Sequence, residues 1–294
     1  MLIRNLLRNL LRRLYRHDLQ LVSCRETSSH HPKNRESIHE PKVSVLIPTR
    51  DKPELLIKCV QSIRENTSYS NIELIIVDND SVLDETKDLL LSLKKQGVLV
   101  IEYAGQFNYS AICNLAAERA SGDYLCFLNN DTEIRSPEWL ASMVDHASQP
   151  DTGLVGSILL YPNGSIQHMG VALGYGFIAG HPRRGGVVET SVPTECFQVT
   201  AVTFACAVIS KQKFDFLGGL DESLPSGLND VDVSIRAREF GLQNIVCIHS
   251  VLIHKESQTR SKTLSFRGGQ RALLDAITFL RKHPNKLQDD FFGR

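Results

Sequence analysis

The stretch DYLCFLNNDTEI, residues 123–134, opens as a buried strand and closes on two amides and a carboxylate. Tyr124, Leu125, Cys126, Phe127 and Leu128 form an apolar run, and Asn129, Asn130 and Asp131 follow without transition. A short apolar run bounded by polar residues reads as an interior strand of a parallel sheet. Asn and Asp favour turns, which is one reason for such an ending. Open α/β sheets also bind ligands at the carboxyl ends of their strands, which is another. The flanking segments decide between the two.

Strand and helix patterns alternate around it. VSVLI (43–47), IELIIVD (72–78) and VLVIEY (98–103) read as strands. Helical spacing occupies 53–66, 84–96, 109–120 and 137–147, the first opening on Pro53, a favoured first-turn residue. This alternation predicts a mostly parallel sheet with helices on both faces. After residue 150, glycines and short apolar runs predict a smaller mixed part. There, 199–210 and 244–255 read as strands, 231–241 as a helix ended by Gly241, and 265–283 as a last helix.

Each predicted strand ends in polar residues. The first is followed by Pro48, Thr49, Arg50 and Asp51, and the second ends on Asp78, Asn79, Asp80 and Ser81. The third leads to GQFNYS with Asn108 and Ser110, and the fourth to Asn129, Asn130 and Asp131. In a parallel sheet these ends share one edge, so the clusters converge on a site. No GxGxxG follows the first strand and no GxxxxGK[ST] occurs, which argues against a dinucleotide fold or a P-loop. Carboxylates beside phosphates need a cation between them, and Mg²⁺ or Mn²⁺ suits oxygen ligands. Asp131 at a strand tip fits that need, and the implied ligand is a nucleoside diphosphate conjugate. Two later clusters qualify: Asn229, Asp230 and Asp232 at a helix start after Gly227, and His254 at a strand end. Helix capping explains one acid there more easily than two.

Bulk properties set limits. The formal net charge is zero, so nothing global points to nucleic acid. Seven scattered cysteines without a CxxC pair read as small core residues in a reducing compartment. No run reaches the ~20 apolar residues of a membrane span. Residues 1–16, MLIRNLLRNLLRRLYR, hold five arginines and no acid. Wound as a helix, seven aliphatic side chains fall on one side and Arg4, Arg8, Arg12 and Arg16 on the other. That pattern predicts a helix on an anionic membrane surface. A helix docked on protein and an organellar transit peptide are the alternatives. Residues 21–42 read as a linker, 43–260 as the folded domain with halves at 43–150 and 151–260, and 261–294 as a helix and tail.

The motifs VSVLIPTRDK, IIVDNDS, FNYSAICNLAAERASGDYLCFLNNDTEI, IQHMGVALG, GGLDE, NDVDVSIRAREFG and HKES occur in this order over about residues 43–260. Together they resemble the family-2 glycosyltransferases of GT-A fold, and most nearly the rhamnosyltransferase-like bacterial branch that builds surface polysaccharides. The resemblance implies that Pro48, Thr49 and Arg50 line a nucleotide pocket and that Asp78, with Asn79, meets the base or ribose. It implies that Asn108 and Asn114 lie near the donor, with Asn129 and Asn130 beside the nucleotide sugar. NND stands at the family's DXD motif, so Asp131 would bind Mn²⁺ or Mg²⁺, joined by His254. Asp230 matches the catalytic base, and His168, Asp221 and Asp232 are candidates for the acceptor side. Asn129 replaces the first Asp of DXD, Asn229 the Glu of an ED motif, and Lys255 a common second His.

The implied activity is inverting transfer of a sugar from a nucleoside-diphosphate sugar to a glycan or lipid-linked glycan, on the cytoplasmic face of the cell membrane. A nucleotide-sugar nucleotidyltransferase is a rival, disfavoured because PTRDKPE lacks glycine. A degenerate, non-catalytic binding module is the other, kept open by the two Asn replacements.

Overall fold

The computed structural model describes residues 40–175, 178–255 and 266–284. The expected helix over 1–16 and the linker up to residue 39 lie outside the described residues, as does the tail from 285. The described residues from Pro41 onward cluster as one unit.

The chain alternates as expected through its first half. Strand β1 (Val43–Thr49) leads to α1 (Pro53–Glu65), β2 (Ile72–Asp78), α2 (Asp84–Lys95), β3 (Leu99–Glu102), α3 (Tyr109–Arg119) and β4 (Tyr124–Leu128). There follow β5 (Thr132–Ile134), α4 (Trp139–Ala147), β6 (Thr152–Leu160), β7 (Ile166–His168), β8 (Ala172–Leu173) and β9 (Ala179–Gly180). The last part holds α5 (Val188–Ser191), β10 (Phe197–Val199), β11 (Cys206–Ser210), α6 (Lys211–Phe216), α7 (Asn229–Glu239), β12 (Gln243–His254) and α8 (Phe266–Lys282).

One ten-stranded sheet runs in the order β10-β12-β6-β11-β4-β1-β2-β3, with β5 on β12 and β7 on β6. Pairs β1–β2, β1–β4, β2–β3 and β6–β12 are parallel, while β11 lies antiparallel between β4 and β6. Strands β1, β2, β3, β4, β6 and β12 therefore point the same way, and their carboxyl ends share one edge. The sheet is continuous across residue 150, so both expected halves contribute strands to it.

Alternate residues of the central strands feed two cores. Val45, Ile47, Cys126 and Leu128 pack on one face with Leu56, Cys59, Trp139 and Met143. Leu46, Leu125 and Phe127 pack on the other with Ile112, Ala116, Phe214 and Val233. Both faces being covered explains the unbroken apolar run of β4 and the largely apolar β1, where the one early polar residue, Ser44, is buried. A third cluster joins Phe279 of α8 to Val231 and Ile235 of α7 and to Val171 and Leu173.

Three expectations change. Of the strand expected over 199–210, only Val199, the last residue of β10, and Cys206–Ser210 (β11) are strand, because the chain crosses from the sheet edge to a slot between β4 and β6. Residues Thr200–Ala205 make the crossing and stay mostly buried, so the apolar run does not reveal the break. The helix expected from 231 begins at Asn229, and that from 137 begins at Trp139. The short strand β5 had no expected counterpart, and it proves decisive for the site.

Candidate active site

The strand ends converge as the sequence predicts. Asp131 is buried at the tip of β4, and the chain then turns back as β5 against β12. In that antiparallel register Thr132 faces His254, and Lys255 N donates to Asp131 O at 2.9 Å. His254 Nε2 comes to lie 3.1 Å from Asp131 Oδ1. The contact lacks hydrogen-bond geometry, leaving Asp131 Oδ1 buried without a hydrogen-bond partner.

The buried side chain of Gln167 orients the imidazole. Its Nε2 donates to His254 O at 3.2 Å, so its Oε1 is the atom 2.5 Å from His254 Nδ1. That oxygen accepts, which places the proton of a neutral His254 on Nδ1 and the lone pair on Nε2. In that tautomer Nε2 accepts from Asn129 Nδ2 at 3.3 Å and lies beside the Asp131 carboxylate. Two electron-rich atoms at such a separation repel unless a proton or a metal cation lies between them. A buried carboxylate oxygen beside an imidazole nitrogen backed by an amide fits a divalent cation site with one O and one N ligand.

The nucleotide-side residues gather at the same edge. Asn130 Nδ2 donates to Thr49 Oγ1 at 2.9 Å, tying the β4 tip to β1. Arg50 is exposed and Pro48 half-buried. Asp78 accepts from Ser81 N at 3.2 Å and from the Ser81 hydroxyl. Asp51 Oδ1 accepts from Val82 N and Leu83 N, stitching the loop after β1 to the loop after β2. Asn79 is buried, its Nδ2 near Tyr103 O and Gly105 O, and its Oδ1 makes no hydrogen bond.

Four non-glycine residues among those described have positive φ: Asp51, Lys52, Asp80 and Leu228. The first three lie in the loops after β1 and β2, and Leu228 caps α7 immediately before Asn229 and Asp230. A left-handed leucine is a true outlier, and such backbone strain clusters at functional sites.

Asp230, half-buried in the first turn of α7, joins the site through two adjacent residues. Phe204 N donates to Asp230 Oδ2 at 3.4 Å, while Asn129 N donates to Ala205 O at 3.0 Å. Asn229 is buried and holds Ser110 Oγ and Leu224 O, so it fastens α7 to α3.

Other expected site residues are occupied in holding the fold. Asn108 caps α3 by accepting from Ala111 N, and it donates to Glu222 O. Asn114 bonds Leu220 N, Leu220 O and Glu222 Oε1. Asp232 has no exposed surface. It accepts from Arg236 Nε at 2.8 Å and lies 2.9 Å from His283 Nε2, which pins α8 onto α7. Its place is interior, between α7 and α8. Asp221 is ion-paired with Lys282 and accepts from Ser223 N. His168 is buried, its Nδ1 2.9 Å from His181 Nδ1 and its Nε2 accepting from Gly170 N. Burial first, then His181 and His254, push the His168 pKa well below the usual range. Gln167, one position earlier, is the residue that sequence reasoning missed. Its neighbourhood in IQHMG was visible, but its partner was not.

Residues 44–215 match the family model described as glycosyl transferase family 2. The chain is 38% identical over 225 residues to the O-antigen biosynthesis protein RfbC of Myxococcus xanthus, covering 75% of this chain and 18% of that protein. It is 29% identical over 130 residues to the GalNAc(5)-diNAcBac-PP-undecaprenol beta-1,3-glucosyltransferase of Campylobacter jejuni, covering 43% and 41%. The chain thus spans less than half the length of each. Among solved structures it superposes on GalNAc-T7 with UDP, GalNAc and Mn²⁺ at TM-score 0.63 and 18% identity, covering 74% of this chain and 44% of that one. It superposes on the mannosyltransferase PcManGT from Pyrobaculum calidifontis, in complex with GDP-Man and Mn²⁺, at TM-score 0.61 and 15% identity, covering 93% and 72%. Both neighbours have the GT-A fold, and the described residues share it.

Proposed function

The chain belongs to glycosyl transferase family 2, and on that premise we propose that it transfers a sugar, with inversion, from a nucleoside-diphosphate donor to a glycan or lipid-linked glycan during surface-polysaccharide synthesis. The names of the relatives RfbC and the undecaprenol-linked glucosyltransferase support the setting. One observation carries the chemical reading: the buried, unbonded Asp131 Oδ1 faces the Nε2 lone pair of His254.

Asp131 and His254 would hold Mn²⁺ or Mg²⁺. Such an ion, when bound, offsets the charge that the leaving diphosphate gains. The edge formed by Pro48, Thr49, Arg50, Asp78 and Asn79 receives the nucleotide, with Asn129 and Asn130 closing the donor side. Asp230 accepts the proton of the acceptor hydroxyl as the new glycosidic bond forms, since an alcohol at neutral pH is a poor nucleophile. Attack from the face opposite the leaving group inverts the anomeric carbon.

Among the described residues no helix is long and apolar enough to cross a membrane. The amphipathic pattern of residues 1–16 supports attachment to an anionic surface, where a lipid-linked acceptor would be confined. Deleting residues 1–20 should abolish sedimentation with anionic liposomes while donor binding persists.

The direct test is a thermal-shift screen of nucleotide sugars with Mn²⁺, followed by donor hydrolysis with the best ligand. One nucleotide sugar should stabilise the protein in the presence of Mn²⁺ and be hydrolysed. In Asp131→Asn both effects should require far more Mn²⁺. Stabilisation without turnover would identify a binding module, and no stabilisation by any donor would remove the assignment.

A further inference from the structure

Away from the strand-end edge, three side chains from separate elements meet. His146 is in the last turn of α4, Cys196 immediately precedes β10, and Cys247 is in β12. One ring nitrogen and the two sulfurs all lie within 4.8 Å of one another. The sheet register explains the thiol pair. Phe197 faces Val246 in the antiparallel β10–β12 ladder, so the next position outward sets Cys196 against Cys247. Helix α4 packs on β12 and brings His146 to the pair. Cys247 is buried, while Cys196 and His146 are half-buried, so the cluster is reached from solvent on their side.

The chemistry of the group differs from that of the other buried thiols. Burial pushes the Cys59 and Cys113 thiols up to about 12. Cys196 goes the other way, to about 4: a hydrogen bond from Cys247 holds it down against burial, and His146 adds to the effect. His146 is raised by its own hydrogen bond to Cys196. Two cysteine sulfurs and an imidazole nitrogen within one ligand shell are the donor types of a soft, tetrahedral ion. Zinc–ligand bonds would put such atoms roughly 3.5–3.8 Å apart, within about an ångström of the present separations.

We propose that His146, Cys196 and Cys247 form a binding site for one soft divalent cation of the zinc class, with an external ligand such as water in the fourth position. The two sulfurs separate it in kind from the oxygen-bearing Asp131–His254 pair. Occupied, it pins the three-residue edge strand β10 to β12 and to α4. The chain runs on from β10 through Thr200–Ala205, the segment that bonds both Asp230 and Asn129. The cation would thus anchor one end of a segment that supports the strand-end site.

The test uses the reduced, metal-free full chain in excess Mg²⁺, which fills oxygen-rich sites and gives no thiolate absorption. Titration with Co²⁺ should show about one bound ion with a thiolate-to-cobalt charge-transfer band and tetrahedral d–d bands, displaced by Zn²⁺. Cys196→Ser and His146→Gln, at half-buried positions and so less disruptive than a change at Cys247, should each weaken binding at least about tenfold. Zn²⁺ should also slow alkylation of Cys196 in the unaltered protein by a similar factor. Absence of the charge-transfer band in the unaltered chain overturns the proposal. So does an unchanged band and affinity in both variants, or alkylation of Cys196 that Zn²⁺ does not slow.

Discussion

His254 Nε2 lies 3.1 Å from Asp131 Oδ1 because β5 returns along β12 with Thr132 opposite His254. Neither residue carries the arrangement alone. The carboxylate is placed by β4, the imidazole by β12, and the ring orientation by Gln167 on β7.

Gln167→Leu should therefore release the ring. The Nδ1 proton loses its acceptor, and the neutral imidazole is free to populate both tautomers. Nitrogen chemical shifts of His254 should change from a single tautomer to a mixture, and Mn²⁺ affinity should fall about 10- to 100-fold. Gln167→Glu keeps an acceptor and should retain the single tautomer. An unaltered His254 spectrum in Gln167→Leu would show that the amide does not orient the ring.

Asp230→Asn should bind donor nearly as well as the unaltered chain and turn over about a hundredfold or more slowly. Steady-state transfer, paired with donor binding by calorimetry, checks it. Near-native turnover would reduce Asp230 to a helix-capping residue.

Asp232 is the contrasting acid. With no exposed surface and with Arg236, His283 and Lys282 around it, it joins α7 to α8. Asp232→Ala leaves Arg236 and Lys282 without their buried carboxylate and His283 without its hydrogen-bond partner, and should cost about 3–5 kcal/mol in urea unfolding. A loss of turnover at full stability would instead return Asp232 to the acceptor side.

Glu73 makes an acid-stability prediction. Burial alone would raise its pKa, but hydrogen bonds from Ser44, Lys42 and Ser121 outweigh it and hold the group at about 2. The folded value lies below the unfolded one, so the folded state binds this proton less readily. Its stabilising contribution is complete above about pH 4.5, the group's ordinary value, and is lost as pH falls towards about 2. Unfolding midpoints of Glu73→Gln should be lower than those of the unaltered chain at neutral pH. The difference should shrink as pH falls through that window. A difference independent of pH would mean that packing, not charge, makes the contribution.

The alternation of strands and helices was legible in the sequence, because a strand buried on both faces must be apolar throughout and a surface helix must be apolar on one side only. The polar strand ends were legible for the same reason: β1, β2 and β4 switch abruptly from interior to edge. The convergence of Thr49, Asp78 and Asp131 follows from parallel order alone. Tertiary structure decided the rest. Asn108, Asn114 and Asp232 are residue types suited to a site, and only the fold shows that each also ties separate segments together, Asp232 in the interior and the two asparagines half-buried. Residues 199–210 are mostly apolar, and the sheet order separates β10 from β11 there. The pairings of His254 with Asp131, of Gln167 with His254 and of Cys196 with Cys247 all depend on register between segments distant in the chain. Local periodicity reports whether a side chain is buried; which remote strand lies beside it is chosen by the packing of the whole sheet.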